Sequence, residues 1–316
     1  MGTRKLALDS FEEASDYVLH SARALERNTF NYFFNGDDSN KSLLELKNYQ
    51  NPDGGFGHGL EPDLRLPYSS PIATAFAFRH LEKVGEKTEI AEDIIQSGTD
   101  YFKESFRPDE NRWFAVPREI NDYPHAPWWH YREDSGGTAI DEFWGNPTAE
   151  ILAYGLKYDG FSSEIDTESL LGTAISNFNE KVKFESEHEV YCYLKLYEVL
   201  PEKEASKIEN QLERAIGQLV QTDPSSWGEY VPQPLDFVPE PDSPRFGISE
   251  TSLEENLDFL IENIDEEGAV RPSWEWGQFE SEWKRAELEW TGILTLDALI
   301  TLDKFDRIPL KEKEVA

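Results

Sequence analysis

The segment His58-Gly59-Leu60-Glu61-Pro62-Asp63-Leu64-Arg65 gathers two carboxylic acids, an imidazole and a guanidinium in one loop stiffened by Pro62 and Pro67. Asp141-Glu142-Phe143-Trp144 and Trp274-Glu275-Trp276 repeat the pairing of acid with aromatic ring. A carboxyl group held against an aromatic wall has its pKa raised and can act as a general acid near neutral pH. Glu61, Asp63 and Glu142 are therefore the candidate catalytic groups. Set across a groove, two such carboxylates could hydrolyse a glycosidic bond while indole faces stack on sugar rings. The same residues have a plainer use, since Glu61 or Asp63 can cap the helix that follows or pair with Arg65.

Pro124-His125-Ala126-Pro127-Trp128-Trp129-His130-Tyr131-Arg132 is the densest cluster of uncommon residues. His125 and His130 stand five apart in a Pro-Trp-Trp run, not at the i, i+4 spacing of a helical metal site, and no third ligand is fixed by pattern. No metal or other cofactor is expected. All nine tryptophans follow residue 112, and eight of them, Trp283 included, read as belonging to long connections, with Trp290 opening the last helix. His58, Arg65, His125, Trp128, Trp129, His130, Trp144, Trp227 and Trp276 are the candidate ligand-binding side chains, unless the tryptophans simply plug the interior. Glu61, Asp63, Trp128, Trp129, Glu142 and Trp144 are expected to converge on one pocket, each lying in a connection that leads into an apolar helix. His20, His80 and His188 read as packing or surface residues of helices.

Two kinds of helix must position these loops. Between Ile72 and Val84 the apolar residues cover nearly every side, which implies burial all round, whereas from Glu89 to Phe102 they occupy a single face. The alternation continues through Thr148–Tyr158, Leu171–Val182, Val190–Leu200, Ile208–Leu219, Leu253–Ile264 and Trp290–Leu302. Phe76, Leu81, Tyr154, Leu194 and Leu296 are thus expected inside, and Glu92, Asp93 and Glu209 outside. Pro232, Pro234, Pro239, Pro241 and Pro244 forbid a continuous helix around residues 228–247. Alternating inner and outer helices describe two layers, hence an all-α double-layered barrel, an α/α toroid of about five or six helix pairs formed by residues 1–316 as one domain.

Tyr49-Gln50-Asn51-Pro52-Asp53-Gly54-Gly55-Phe56-Gly57 has the residues a tight turn needs, with Gly54 and Gly55 expected at positive φ. This stretch resembles the Gln-x-x-Asp-Gly-(Gly/Ser)-aromatic-Gly motif of squalene–hopene cyclases and protein prenyltransferase β-subunits, most closely over residues 43–84. The resemblance implies the α/α toroid of the terpenoid cyclase and prenyltransferase class and a structural role for the motif, which ties helices together. The chemistry of either parent does not carry over by residue match. The Asp-x-Asp-Asp acid of the class II terpene cyclases is absent, and Val190 stands where a zinc-binding Asp-x-Cys pair would need its aspartate before Cys192.

Sixty-three acidic against thirty basic residues give a formal charge of −33 spread along the chain. A polyanion meets repulsion nearly everywhere, so nucleic acid is not an expected partner, and a solvated acidic surface explains the composition. No apolar stretch reaches the length of a membrane span, and Met1–Ser10 lacks the apolar core of a signal peptide. With Cys192 as its lone cysteine, the chain is expected to be soluble and cytoplasmic. The partner expected is a small-molecule or oligosaccharide ligand, neutral or cationic, held at a mouth lined by tryptophans and carboxylates, with acid–base catalysis through Glu61 or Asp63. Alternatives are a glycan hydrolase or lyase on a helical barrel, isoprenoid chemistry by analogy of fold, and a protein-interaction scaffold.

Overall fold

Ser70 accepts a hydrogen bond from the Ala73 amide at 3.2 Å and Pro71 opens the helix behind it, so Pro71–Val84 starts where cap and proline chemistry place it. Thr88, Asp166 and Ser186 cap Glu89–Ser105, Thr167–Glu180 and Glu187–Val199 in the same way. The computed structural model describes residues 4–85, 87–161 and 164–308, and among these the protein is all-α, with isolated β-bridges and no strand. No helix among them is long and apolar enough to cross a membrane.

The described chain falls into two compact units, one containing residues 43–219 and 276–283, the other residues up to 42, 220–275 and from 284 on. In the first, the Gly145–Lys157 helix is the hub: it packs against Pro71–Val84, Glu89–Ser105, Thr167–Glu180 and Glu187–Val199. Phe78 binds three of these helices together, its ring 4.9 Å from that of Tyr154 and 5.3 Å from that of Phe102, pairs worth about 0.5–1.5 kcal/mol each beyond their burial. The all-round burial expected of Ile72–Val84 holds along most of the helix, with Phe76 half-buried and Arg79 exposed. Leu81 and Tyr154 are buried and Leu194 is half-buried; Glu92, Asp93 and Glu209 are exposed as the one-faced pattern requires.

The turn after Ser39–Lys47 is built by its side chains. Gln50 Nε2 donates to the Gly54 carbonyl at 3.0 Å and to Ser97 Oγ at 2.8 Å, tying the turn to the Glu89–Ser105 helix. Asp53 Oδ1 accepts from the Gly55 amide and from Ser69 Oγ, and Asn51 Nδ2 donates to the Pro67 carbonyl. Gly54 takes the expected positive φ of 85°. Gly55 does not; a Cβ there would lie 2.6 Å from Ser69 Cβ and 2.7 Å from the Tyr101 ring, so close approach, not backbone angle, demands glycine.

The second unit packs Leu8–Ser21, Ala24–Asn35, Glu250–Glu262 and the later part of Glu280–Lys304 around Phe11, Val18, Phe30, Leu257, Leu296 and Leu299. Arg307 is buried there, its guanidinium shared by Glu254 at 2.6 Å and Asp258 at 3.0 Å. The proline-rich stretch forms only the short Pro234–Phe237 turn of helix. The last connection ends earlier than its sequence suggests, because the helix starts at Glu280; Trp283 therefore lies in the helix and not in a loop.

Candidate functional site

Two loops of the first unit are zipped together by backbone. The Arg65 amide donates to the Pro124 carbonyl at 3.0 Å and the Ala126 amide to the Asp63 carbonyl at 3.0 Å, a small antiparallel bridge between Leu64 and His125. Residues 276–283 close over both: Trp276 Nε1 donates to Asp63 Oδ1 at 2.7 Å and Gln278 Nε2 to the His125 carbonyl at 2.8 Å. The Phe279 ring lies 5.8 Å from the His125 imidazole. Three segments far apart in sequence thus meet around Asp63 and His125, both buried.

Glu61 is the chemically unusual member. Its side chain is 6 % exposed, the Asp63 amide bonds to its carboxylate, and Oε2 is enclosed with no hydrogen-bond partner among the described residues. Burial pushes its carboxyl well above the ordinary range, the neighbouring Asp63 charge pushes the same way, and Arg65 and Arg79 pull against them without prevailing. The raised pKa favours the protonated carboxyl, whose O–H can donate a hydrogen bond. The buried indole N–H of Trp129, on the loop zipped to this turn, likewise has no acceptor among the described residues.

His125 and His130 form a chain. Nδ1 of His125 lies 2.6 Å from the Tyr123 carbonyl, which can only accept, so Nδ1 carries the proton and Nε2 takes the hydrogen bond from His130 Nδ1 at 3.2 Å. Burial lowers the His125 pKa, the Tyr123 carbonyl opposes this, and His130 adds to it. Among the described residues no three metal-binding side chains cluster.

The other candidates take different places. Arg65 is half-buried on the zipped turn, and His58 is exposed, with φ 57° and Nε2 at 2.9 Å from Asn51 Oδ1. Trp128 is half-buried in the short turn of helix Pro127–Trp129, and Trp144 is half-buried ahead of Gly145–Lys157. Glu142 is exposed and paired with Arg132 at 2.5 Å; among the described residues no bond joins it to Glu61 or Asp63. Its neighbour Asp141 is the buried acid, accepting from the Ala115 amide at 2.8 Å and from the Thr138 amide and hydroxyl, a loop-building role. Trp227 belongs to the other unit, where its ring packs edge-on against Phe259.

Reading the sequence missed a second group, on the helices. Arg79 forms a two-pronged bond to Glu150, Nε to Oε1 and Nη2 to Oε2, each 2.5 Å. Glu150 is buried and also receives the Tyr154 hydroxyl at 2.9 Å, with the Cys192 thiol 3.9 Å from Oε2. Burial alone would raise the Glu150 pKa, but Arg79 and Tyr154 together hold it below the ordinary range. Burial and the Arg79 charge keep the His188 imidazole below its usual range despite Glu187. The available signal was a charge set among apolar helical residues, Arg79 after Phe78 and Glu150 after Ala149. No family profile, curated protein or solved structure matches this chain.

Proposed function

We propose that the zipped turns around Glu61 and Trp129 bind a small organic ligand, and that Glu61 serves there as a proton donor. The observation that carries this reading is the Glu61 carboxyl itself: buried, with Oε2 lacking any partner among the described residues, and with its pKa raised by that burial. A buried polar group without a partner costs free energy unless water or ligand completes it, and raised carboxyl pKa values mark working acids. The unspent Trp129 N–H on the partner loop supports the same reading. The toroid resemblance agrees with it, since that class binds organic molecules within a helical barrel. A glycosidase reading draws less support, because Glu61 and Asp63 share one turn and Glu142 is tied to Arg132.

Ligand-induced stabilisation tests the reading. Neutral oligosaccharides, isoprenoid alcohols and isoprenoid diphosphates are screened by thermal shift against wild type, Glu61→Gln and Glu61→Leu. The expected result is a neutral compound that stabilises the wild type, less so Glu61→Gln, and not Glu61→Leu. Stabilisation of all three proteins alike would place the ligand elsewhere and end the reading.

A further inference from the structure

The connection between the Glu89–Ser105 and Gly145–Lys157 helices folds around a cavity of about 430 Å3 that has neither Glu61 nor Trp129 in its lining. The volume falls within the range of about 300–1,000 Å3 usual for small-molecule sites. Phe106, Phe114, Val116 and Tyr131 give it apolar walls, and Arg107, Asp109, Glu110, Arg118 and Glu119 give it charge.

These walls are fixed by the chain itself. Phe106 packs against the buried Trp113 with ring centres 4.7 Å apart, and Trp113 Nε1 donates to the Phe102 carbonyl at 2.7 Å. Asn121 brackets Tyr131: its Nδ2 donates to the Tyr131 carbonyl at 2.8 Å, and its Oδ1 accepts from the Tyr131 amide at 2.9 Å. Asp109 and Glu110 stand on a turn closed by the Arg107 amide, which donates to the Arg112 carbonyl at 2.9 Å, with Asn111 at φ 53°. A site formed in advance loses less binding energy to ordering.

The charges decide what fits. Asp109, Glu110 and Glu119 are exposed and form no ion pair among the described residues, and the same holds for Arg107; Arg118 is paired with Glu133 at 3.1 Å. An anion would find Arg107 alone against three unpaired carboxylates, in a chain of formal charge −33. A cation meets the reverse. Phe114 already carries one, the Arg112 guanidinium, 5.0 Å from its ring centre. With Arg112 and Glu133 counted, carboxylates still outnumber guanidinium groups four to three. We propose that this cavity binds a small organic cation, an amine or amidine on an apolar body. Asp109, Glu110 and Glu119 hold its charge, and Phe106, Phe114 and Tyr131 hold its body. The site is separate from the one at Glu61 and does not depend on it.

Benzylamine, benzamidine, benzyl alcohol and benzoate share one ring and differ in charge, and their binding is read by ligand-observed NMR and calorimetry in ~0.15 M salt, which screens the general field of the chain. The two cations are expected to bind the wild type, benzyl alcohol more weakly and benzoate not at all. The double change Glu110→Gln with Glu119→Gln, at exposed side chains without an ion pair, should weaken benzylamine roughly tenfold, a difference of about 1.4 kcal/mol. A control, Glu202→Gln with Glu213→Gln, removes the same charge from exposed positions outside the lining and should bind benzylamine as the wild type does. Glu61→Gln should bind it equally well. Circular dichroism verifies that each variant folds. Benzoate or benzyl alcohol binding as tightly as benzylamine, or no benzylamine binding at all to the wild type, overturns the proposal whatever the variants do. So does an equal loss in the double variant and its control, which would show attraction by net charge only. Benzylamine lost in Glu61→Gln and kept in the double variant would assign it to the other site and equally end this one.

Discussion

The indole N–H of Trp276 donates to Asp63 Oδ1 at 2.7 Å, joining residues 213 positions apart, both buried. The bond supplies a donor to a buried acid, and it holds residues 276–283 against the loop of Glu61. Trp276→Phe keeps most of the ring and removes the N–H, leaving a buried carboxylate short of one donor. The expected loss is about 1–3 kcal/mol in chemical denaturation. Asp63→Asn, whose amide oxygen still accepts, should cost less than Trp276→Phe. Equal stability of Trp276→Phe and wild type would show that water replaces the indole at no cost.

That bond also explains what could be read from the chain and what could not. Helix class is a local property: the period of Ile90, Ile94, Tyr101 and Phe102 is enough to give Glu89–Ser105 one buried face. The tight turn at Gln50 to Gly57 is local too, and its side chains bond onward to Ser97 and Ser69. Convergence is not local. Glu61, Asp63 and His125 meet because backbone groups zip two loops together, whereas Glu142, which has the same acid–aromatic flavour in sequence, finds Arg132 first. Arg79 and Glu150 stayed hidden because they lie 71 positions apart, and only the packing of their two helices makes them a pair.

Glycine positions in the turn separate two kinds of strain. A Cβ on Gly57 would lie 2.2 Å from the Tyr68 carbonyl oxygen, a backbone atom that cannot step aside, although Gly57 is not at positive φ. Gly36 has φ 73° but open space around it. Gly36→Ala should therefore cost about 1 kcal/mol from backbone angle alone, and Gly57→Ala and Gly55→Val about 1–3 kcal/mol or more from overpacking. Melting temperatures of the three variants give the order; Gly57→Ala as mild as Gly36→Ala would mean the turn is slack.

The Arg79–Glu150 pair predicts a strongly non-additive cycle. Arg79→Gln leaves the buried Glu150 carboxylate without its cation and should cost about 1–3 kcal/mol, the penalty for a buried polar group that loses a partner, since Arg79 itself is partly exposed. Adding Glu150→Gln removes the stranded charge and should recover part of that loss, so the double variant is more stable than Arg79→Gln alone. Denaturant unfolding of the four proteins checks it; a double variant less stable than either single would show that the two groups act through other partners.

Glu61 and Glu150 impose opposite pH dependences on stability. Folded Glu61 holds its proton well above the ordinary carboxylate range, by burial first and the Asp63 charge second, while the unfolded chain releases it near about pH 4.3. As pH rises past that point the unfolded state loses its proton first, so the Glu61 contribution is complete below the unfolded pKa and is lost as pH climbs through the raised folded value. Glu150 behaves in the reverse sense: burial works against its ionisation, but Arg79 outweighs it and lowers the pKa, so its contribution stands above the ordinary value and disappears as pH falls through the lowered one. Glu61→Gln removes the first dependence and keeps the second. The variant should match or trail the wild type at about pH 4 and gain on it with rising pH, by up to about 1.4 kcal/mol per unit until the wild-type carboxyl ionises. Parallel stability curves for the two proteins from about pH 4 to pH 8 would mean that Glu61 titrates alike in both states, and that its carboxyl is ionised at neutral pH after all.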